Sequence, residues 1–212
     1  VARCDAFLNQ IRKWRTQRSR ADFARPFATL FQNPVRTTLL LLVLVGFALR
    51  ARGIPDPMSA DEMSVYRTTR GFLERGFPSI EVHPDLPVSY VATSELVYVP
   101  SALTALVFSD PNYVVRVPSV LFGVATIVLL YVAGARLFSS SVGLVAAAIY
   151  ALAPTCVQMS NFGRYFSQLQ FFTLLTIFLF IKLILDRSDL GTKRLWVCAI
   201  CFVATFLSWE SS

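Results

Sequence analysis

Charge is scarce in this chain. Only 16% of its 212 residues are Asp, Glu, Lys or Arg, whereas a soluble domain carries about 25%. A chain with so little charge cannot cover a water-facing surface in the usual way, which excludes an ordinary soluble globule. Cysteine is scarce too, with only Cys4, Cys156, Cys198 and Cys201. Three of the four lie inside apolar runs. The C-x-x-C of Cys198 and Cys201 is an i, i+3 pair on an apolar helix with no further ligand nearby, so it is read as two small buried side chains and not as a zinc site. The chain has no internal repeat. Its start is basic and amphipathic instead of continuously apolar, so no cleavable signal peptide is expected.

What the chain does have is apolar sequence: 55% hydrophobic residues and a mean hydropathy of +0.56. The apolar residues come in blocks, not in stripes, which is the pattern of an all-α, polytopic helical membrane protein. The net charge of +7 sits mostly before residue 37. Arg3, Arg12, Lys13, Arg15, Arg18, Arg20 and Arg25 alternate with Phe7, Leu8, Ile11, Trp14, Phe23, Phe27, Leu30 and Phe31. Residues 1–35 are therefore expected to be a basic amphipathic segment on the cytoplasmic membrane surface that fixes orientation, with docking to a partner protein as the other reading. Charge placed this way signals topology and lipid contact, not nucleic acid.

About five spans are expected, centred on residues 37–49, 117–135, 142–157, 168–185 and 195–209. The third is rich in Gly and Ala and suited to close helix packing. Residues 51–113 form a long connection that is acid-rich and follows a basic N-terminus, which places it outside with the N-terminus in the cytoplasm. Within it, 60–75 reads as a helix stopped by Gly76 and Pro78. Residues 89–108 are apolar but carry Glu95 and Pro100, and are expected to be re-entrant or interfacial instead of spanning. Arg116 and Pro118 are expected to open the second span, proline being suited to a first helical turn.

The stretch that none of this requires is Ala60-Asp61-Glu62-Met63. Paired acids beside a bilayer are either solvated or functional; the plainer alternative is that they complement the dipole of a helix N-terminus. Arg50, Arg52, Arg116 and Arg164 all fall at outer span ends, where positive charge should be rare. Headgroup anchoring accounts for them, and so does a phosphate site. His83 lies in a loop marked by Pro84 and Pro87 and reads as solvated or as a further phosphate contact.

Taken in order, these features resemble the first part of a GT-C fold glycosyltransferase of the protein mannosyltransferase and aminoarabinose transferase group. The resemblance is carried by an Arg at the outer end of the first span followed by Ala60-Asp61-Glu62-Met63. It continues with Arg116-Val117-Pro118-Ser119, then Gly134-Ala135-Arg136-Leu137-Phe138 with Val142-Gly143-Leu144 through Ala153-Pro154, and ends with Arg164-Tyr165-Phe166. It covers roughly residues 36–212, a GT-C-like transmembrane module that is expected to be incomplete. The resemblance implies a multi-pass protein of a bacterial-type inner membrane with an extracytoplasmic active site. It implies sugar transfer from a polyprenyl-phosphate carrier to an acceptor hydroxyl, with Asp61 as general base and Glu62 beside it. Arg50, Arg52, Arg116, Arg164, Tyr165 and His83 would bind substrate or lipid phosphate. Relatives often carry an acid shortly before the Arg that corresponds to Arg164; Ser160-Asn161-Phe162-Gly163 has none, which weakens a metal-ion role, so no cofactor is expected and a divalent metal stays an unsupported alternative. Membrane lipids and other membrane subunits are the expected partners. The alternative is a non-catalytic transmembrane subunit derived from such a transferase.

Overall fold

A computed structural model describes residues 34–81, 87–91, 95–185 and 192–208. The basic segment before residue 34 and the loop of His83 and Asp85 lie outside the described residues. The described chain is helical apart from one short hairpin. In order it runs α1 (Pro34–Ala51), α2 (Ala60–Arg75), β1 (Ser79–Ile80), β2 (Ser89–Tyr90), α3 (Glu95–Ala105), α4 (Pro111–Leu137), α5 (Ser140–Leu152), α6 (Pro154–Asn161), α7 (Phe166–Leu185) and α8 (Thr192–Leu207). The strands pair antiparallel, Ser79 opposite Tyr90 and Ile80 opposite Ser89.

Helix α4 is the post around which the others stand. Its 27 residues bury Val114, Val115, Arg116, Val120, Thr126, Ile127 and Ala133 among others, and it packs against α1, α2, α3, α5, α6 and α7. Two apolar clusters form along it. Ile127 meets Ala147 and Ala151 of α5, with Leu39, Leu42 and Val43 of α1 around them, and Leu129 and Ala133 meet Phe178 of α7. The Gly- and Ala-rich α5 packs as closely as its composition suggests: a Cβ on Gly134 would lie 2.7 Å from Gly143 Cα, which is backbone against backbone. Away from α4, Leu41, Leu44, Phe47, Ile177, Phe180, Trp196, Phe202 and Phe206 are exposed, as expected of a surface that faces lipid.

The protein is thus an all-α polytopic membrane protein, with corrections to the expected spans. Among the described residues three helices, α1, α4 and α7, are long and apolar enough to cross a membrane, or four if α5 and α6 count as one broken span. The expected single span over 142–157 bends by 60° at Ala153–Pro154, because Pro154 has no N–H to continue the ladder. The expected span 195–209 corresponds to the 16-residue α8. Helix α3 has 11 residues, about 16 Å at 1.5 Å per residue, too short to cross about 30 Å of hydrocarbon. The second span starts earlier than its sequence suggests. Asp110 caps it by accepting from the Asn112 N–H at 2.9 Å, with Pro111 at the first turn, so Arg116 and Pro118 lie inside the helix and not at its entrance.

Prolines inside helices leave a carbonyl four residues back without its donor, and apolar surroundings do not tolerate that. Here side chains fill the gap. Pro118 frees the Val114 carbonyl, which accepts from Thr104 Oγ1 at 2.6 Å. Pro100 frees the Leu96 carbonyl, which accepts from Gln168 Nε2 at 3.2 Å. These two bonds also tie α3 to α4 and to α7.

Candidate active site

The loop between α1 and α4 is held by one buried ion pair. Ser59, Ala60, Asp61 and Glu62 form a capping box: the Ser59 hydroxyl accepts from the Glu62 N–H at 3.2 Å, and the Glu62 carboxylate accepts from the Ser59 N–H at 2.9 Å. That places Glu62 at the third helical position, turned inward with 1% exposure. There Arg116 meets it twice, Nε to Oε1 at 2.7 Å and Nη2 to Oε2 at 2.9 Å. The Gly163 N–H donates to the same carboxylate at 2.8 Å. One carboxylate therefore joins the start of α2, the second turn of α4 and the turn between α6 and α7. Burial pushes the Glu62 carboxyl up, but the hydrogen bonds from Arg116, Ser59 and Gly163 outweigh it and hold the group at about 2, against an ordinary value of 4.5.

Arg116 directs its other donors to the loop. Nη1 reaches the carbonyls of Gly53, Ile54 and Asp56, and Nη2 that of Pro57. With every nitrogen engaged and 4% exposure, it pins the loop backbone and keeps no donor for a ligand. Arg50 is likewise spent inside the protein, fully buried and bonded to Ser160 Oγ and the carbonyls of Gly46, Tyr150 and Ala151. Arg52 is exposed.

Asp61 points the other way. Its side chain is 60% exposed, and one oxygen accepts from Arg164 Nη1 at 2.9 Å. Arg164 lies over the rings of Tyr165 and Phe166, 5.4 and 6.0 Å from their centroids, and its backbone carbonyl accepts from Ser119 Oγ at 3.2 Å. Thus the chain brings together Asp61, Glu62, Arg116, Arg164 and Tyr165 from three separate stretches. The acids divide by role: Glu62 is buried, paired and permanently ionised at neutral pH, whereas Asp61 offers a reachable carboxylate beside a cation. Sequence reasoning missed Ser59, Ser160 and the Gly163 N–H. The S-x-x-E spacing of Ser59 and Glu62 could have revealed the first; the other two are tertiary contacts without a local signal. Among the described residues no three His, Cys, Asp or Glu side chains gather as a metal site would need.

The family model for dolichyl-phosphate-mannose-protein mannosyltransferases matches residues 97–210, from α3 to the end of α8. The match takes in Arg116 and Arg164, while Asp61 and Glu62 precede it and join it through their ion pairs and the Gly163 N–H. No curated protein matches the chain significantly. The match covers more than half of the chain and agrees with its helical membrane architecture; the chain belongs to the dolichyl-phosphate-mannose-protein mannosyltransferase family, glycosyltransferases of the GT-C type.

Proposed function

We propose that this protein transfers a sugar from a polyprenyl-phosphate carrier to an acceptor hydroxyl at the outer face of the membrane, with Asp61 as general base. The observation that carries the reading is the Asp61–Arg164 pair: a reachable carboxylate 2.9 Å from a guanidinium, fixed to a buried frame by its neighbour Glu62. The acceptor oxygen attacks the anomeric carbon, and its proton passes to the Asp61 carboxylate. The bond from that carbon to the phosphate oxygen breaks, and the lipid phosphate leaves with the electron pair. A positioned base typically contributes about 10²–10⁴-fold to such a step. Arg164, with exposed Arg52, is the cation for the leaving phosphate, since developing charge is stabilised by donors already in place. Tyr165 supports Arg164 from below as a ring. Arg50 and Arg116 serve the same site as scaffold.

The test is transfer by membranes containing the full-length protein, supplied with a panel of radiolabelled polyprenyl-phosphate sugars, mannose first, and a panel of hydroxyl acceptors. Label moving to an acceptor in a protein-dependent way supports the reading. No transfer with any donor and acceptor would turn the reading to a non-catalytic transmembrane subunit.

A further inference from the structure

We infer that Arg50 is a positioning residue: from α1 it supplies the hydrogen-bond donors that Pro154 removes from the broken α5–α6 span, and so holds the bend that delivers Gly163 and Arg164 to the acids of α2. The inference rests on the proposed site only in naming what the bend delivers.

In a continuous helix the Tyr150 carbonyl would accept from the N–H of residue 154, and Pro154 has none. The Ala151 carbonyl loses its partner as well, because the chain turns by 60° at this break. Inside an apolar layer an orphaned carbonyl is strongly unfavourable unless another donor reaches it. Arg50 reaches both, Nη2 to Tyr150 O at 3.0 Å and Nη1 to Ala151 O at 3.2 Å. Its Nε donates to Ser160 Oγ at 3.1 Å, on the far side of the bend, and Ser160 in turn donates to the Cys156 carbonyl at 2.8 Å. One planar guanidinium therefore bonds to both limbs of the broken span, a geometry that the fixed fork of arginine supplies and a lysine ammonium does not. Nη1 also donates to Gly46 O at 3.0 Å within α1, and the guanidinium stacks 5.2 Å from the Tyr150 ring.

Space for this is made deliberately. At Gly123 of α4 an added Cβ would lie 2.8 Å from Ser160 Cβ and 3.0 Å from Arg50 Nε; at Gly46 it would lie 3.3 Å from Arg50 Nη1. The two other prolines inside helices follow the same rule with Thr104 and Gln168. Among the described residues, only at Pro154 is the donor a charged group, and only there does a span bend sharply. The reason for an arginine at this depth is then the number of carbonyls to be satisfied, not an anion to be bound. From Ser160 the chain needs only three residues to reach Gly163, whose N–H holds Glu62, and four to reach Arg164, which holds Asp61.

The experiment uses the full-length protein with its native cysteines replaced by alanine and spin labels at exposed Val145 and Gln158, one on each limb. The interlabel distance and the melting temperature are measured for the parent, Arg50→Met, Arg50→Lys, Pro154→Ala and Arg50→Met with Pro154→Ala. Arg50→Met should lower the melting temperature and broaden and lengthen the distance, because the carbonyls are orphaned and the bend is unheld. Arg50→Lys, which keeps the charge, should show the same change in weaker form. Adding Pro154→Ala to Arg50→Met should recover much of the lost melting temperature, since the restored N–H now satisfies Tyr150, while the distance lengthens further as the span straightens. Additive melting losses, or a distance that ignores Arg50, would overturn the inference. Neither readout depends on Asp61. Failure of the bend and failure of the proposed chemistry are therefore told apart by measuring sugar transfer in Asp61→Asn separately.

Discussion

Replacing Glu62 by Gln should unfold the site before it slows it. The substitution keeps the size of the side chain and removes its charge. Four hydrogen bonds of 2.7–2.9 Å converge on this carboxylate from Arg116, Ser59 and Gly163. Glutamine has one acceptor oxygen and turns an NH₂ group toward donors, so at least one of the four contacts becomes donor against donor. Arg116, 4% exposed, is left as a buried cation without its anion. Removing one member of a buried pair costs about 3–5 kcal/mol, because the remaining charge has already lost its water. For a protein of this size each kcal/mol is about 2–4 °C in melting temperature, so a fall of about 6–20 °C is expected for purified protein in detergent micelles. Glu62→Gln combined with Arg116→Met should melt higher than Glu62→Gln alone, since it removes the stranded charge as well as its partner. A single variant that melts within about 2 °C of the parent would refute the reasoning, and so would a double variant whose loss is the sum of its parts.

Three further outcomes follow from the same contacts. The Glu62 carboxyl is held at about 2 in the fold, below its ordinary 4.5, so it contributes stability that is fully present above about 4.5 and is lost as pH falls toward 2. Melting measured across that window should fall more steeply for the parent than for Glu62→Gln, and parallel curves would contradict it. Thr104→Val orphans the Val114 carbonyl freed by Pro118 and should cost about 1–3 kcal/mol in a denaturant titration, whereas an unchanged midpoint would show that another donor takes over. A cysteine placed at exposed Arg67 of α2 should react with a membrane-impermeant reagent in intact cells, and protection there until the membrane is opened would reverse the orientation.

The parts of the fold that depend on long apolar runs were legible, because a run of about 20 apolar residues has few alternatives. Helix α2 was legible for another reason: Gly76 takes φ +80 as the C-cap, a conformation that favours glycine, so the stop signal was local. The bend at Ala153–Pro154 is not legible in the sequence, although its proline is, because whether proline breaks or merely kinks a span depends on which side chains reach the freed carbonyls. The same applies to the arginines. Their positions at span ends suggested four phosphate ligands, but charge at a given depth does not reveal its partner. Arg116 was drawn to loop carbonyls and Glu62, and Arg50 to the broken span, neither of which is near it in sequence. Asp61 and Glu62 were singled out together; the capping box then separates them, sending one inward and leaving its neighbour about 100° round the helix, exposed beside Arg164.

Sugar transfer by Asp61→Asn in the full-length protein tests the central claim most directly. Asparagine keeps the size and can still bond to Arg164, and the Asp61 side chain it replaces is 60% exposed, so the change should cost about 1 kcal/mol of stability. The parent and the variant are compared for transfer of labelled mannose from a polyprenyl phosphate, at equal amounts of folded protein judged by melting temperature. The expected result is a loss of about 10²–10⁴-fold with folding intact. Transfer at the parental rate by folded Asp61→Asn would contradict the account, because no proton acceptor would then be needed at that position.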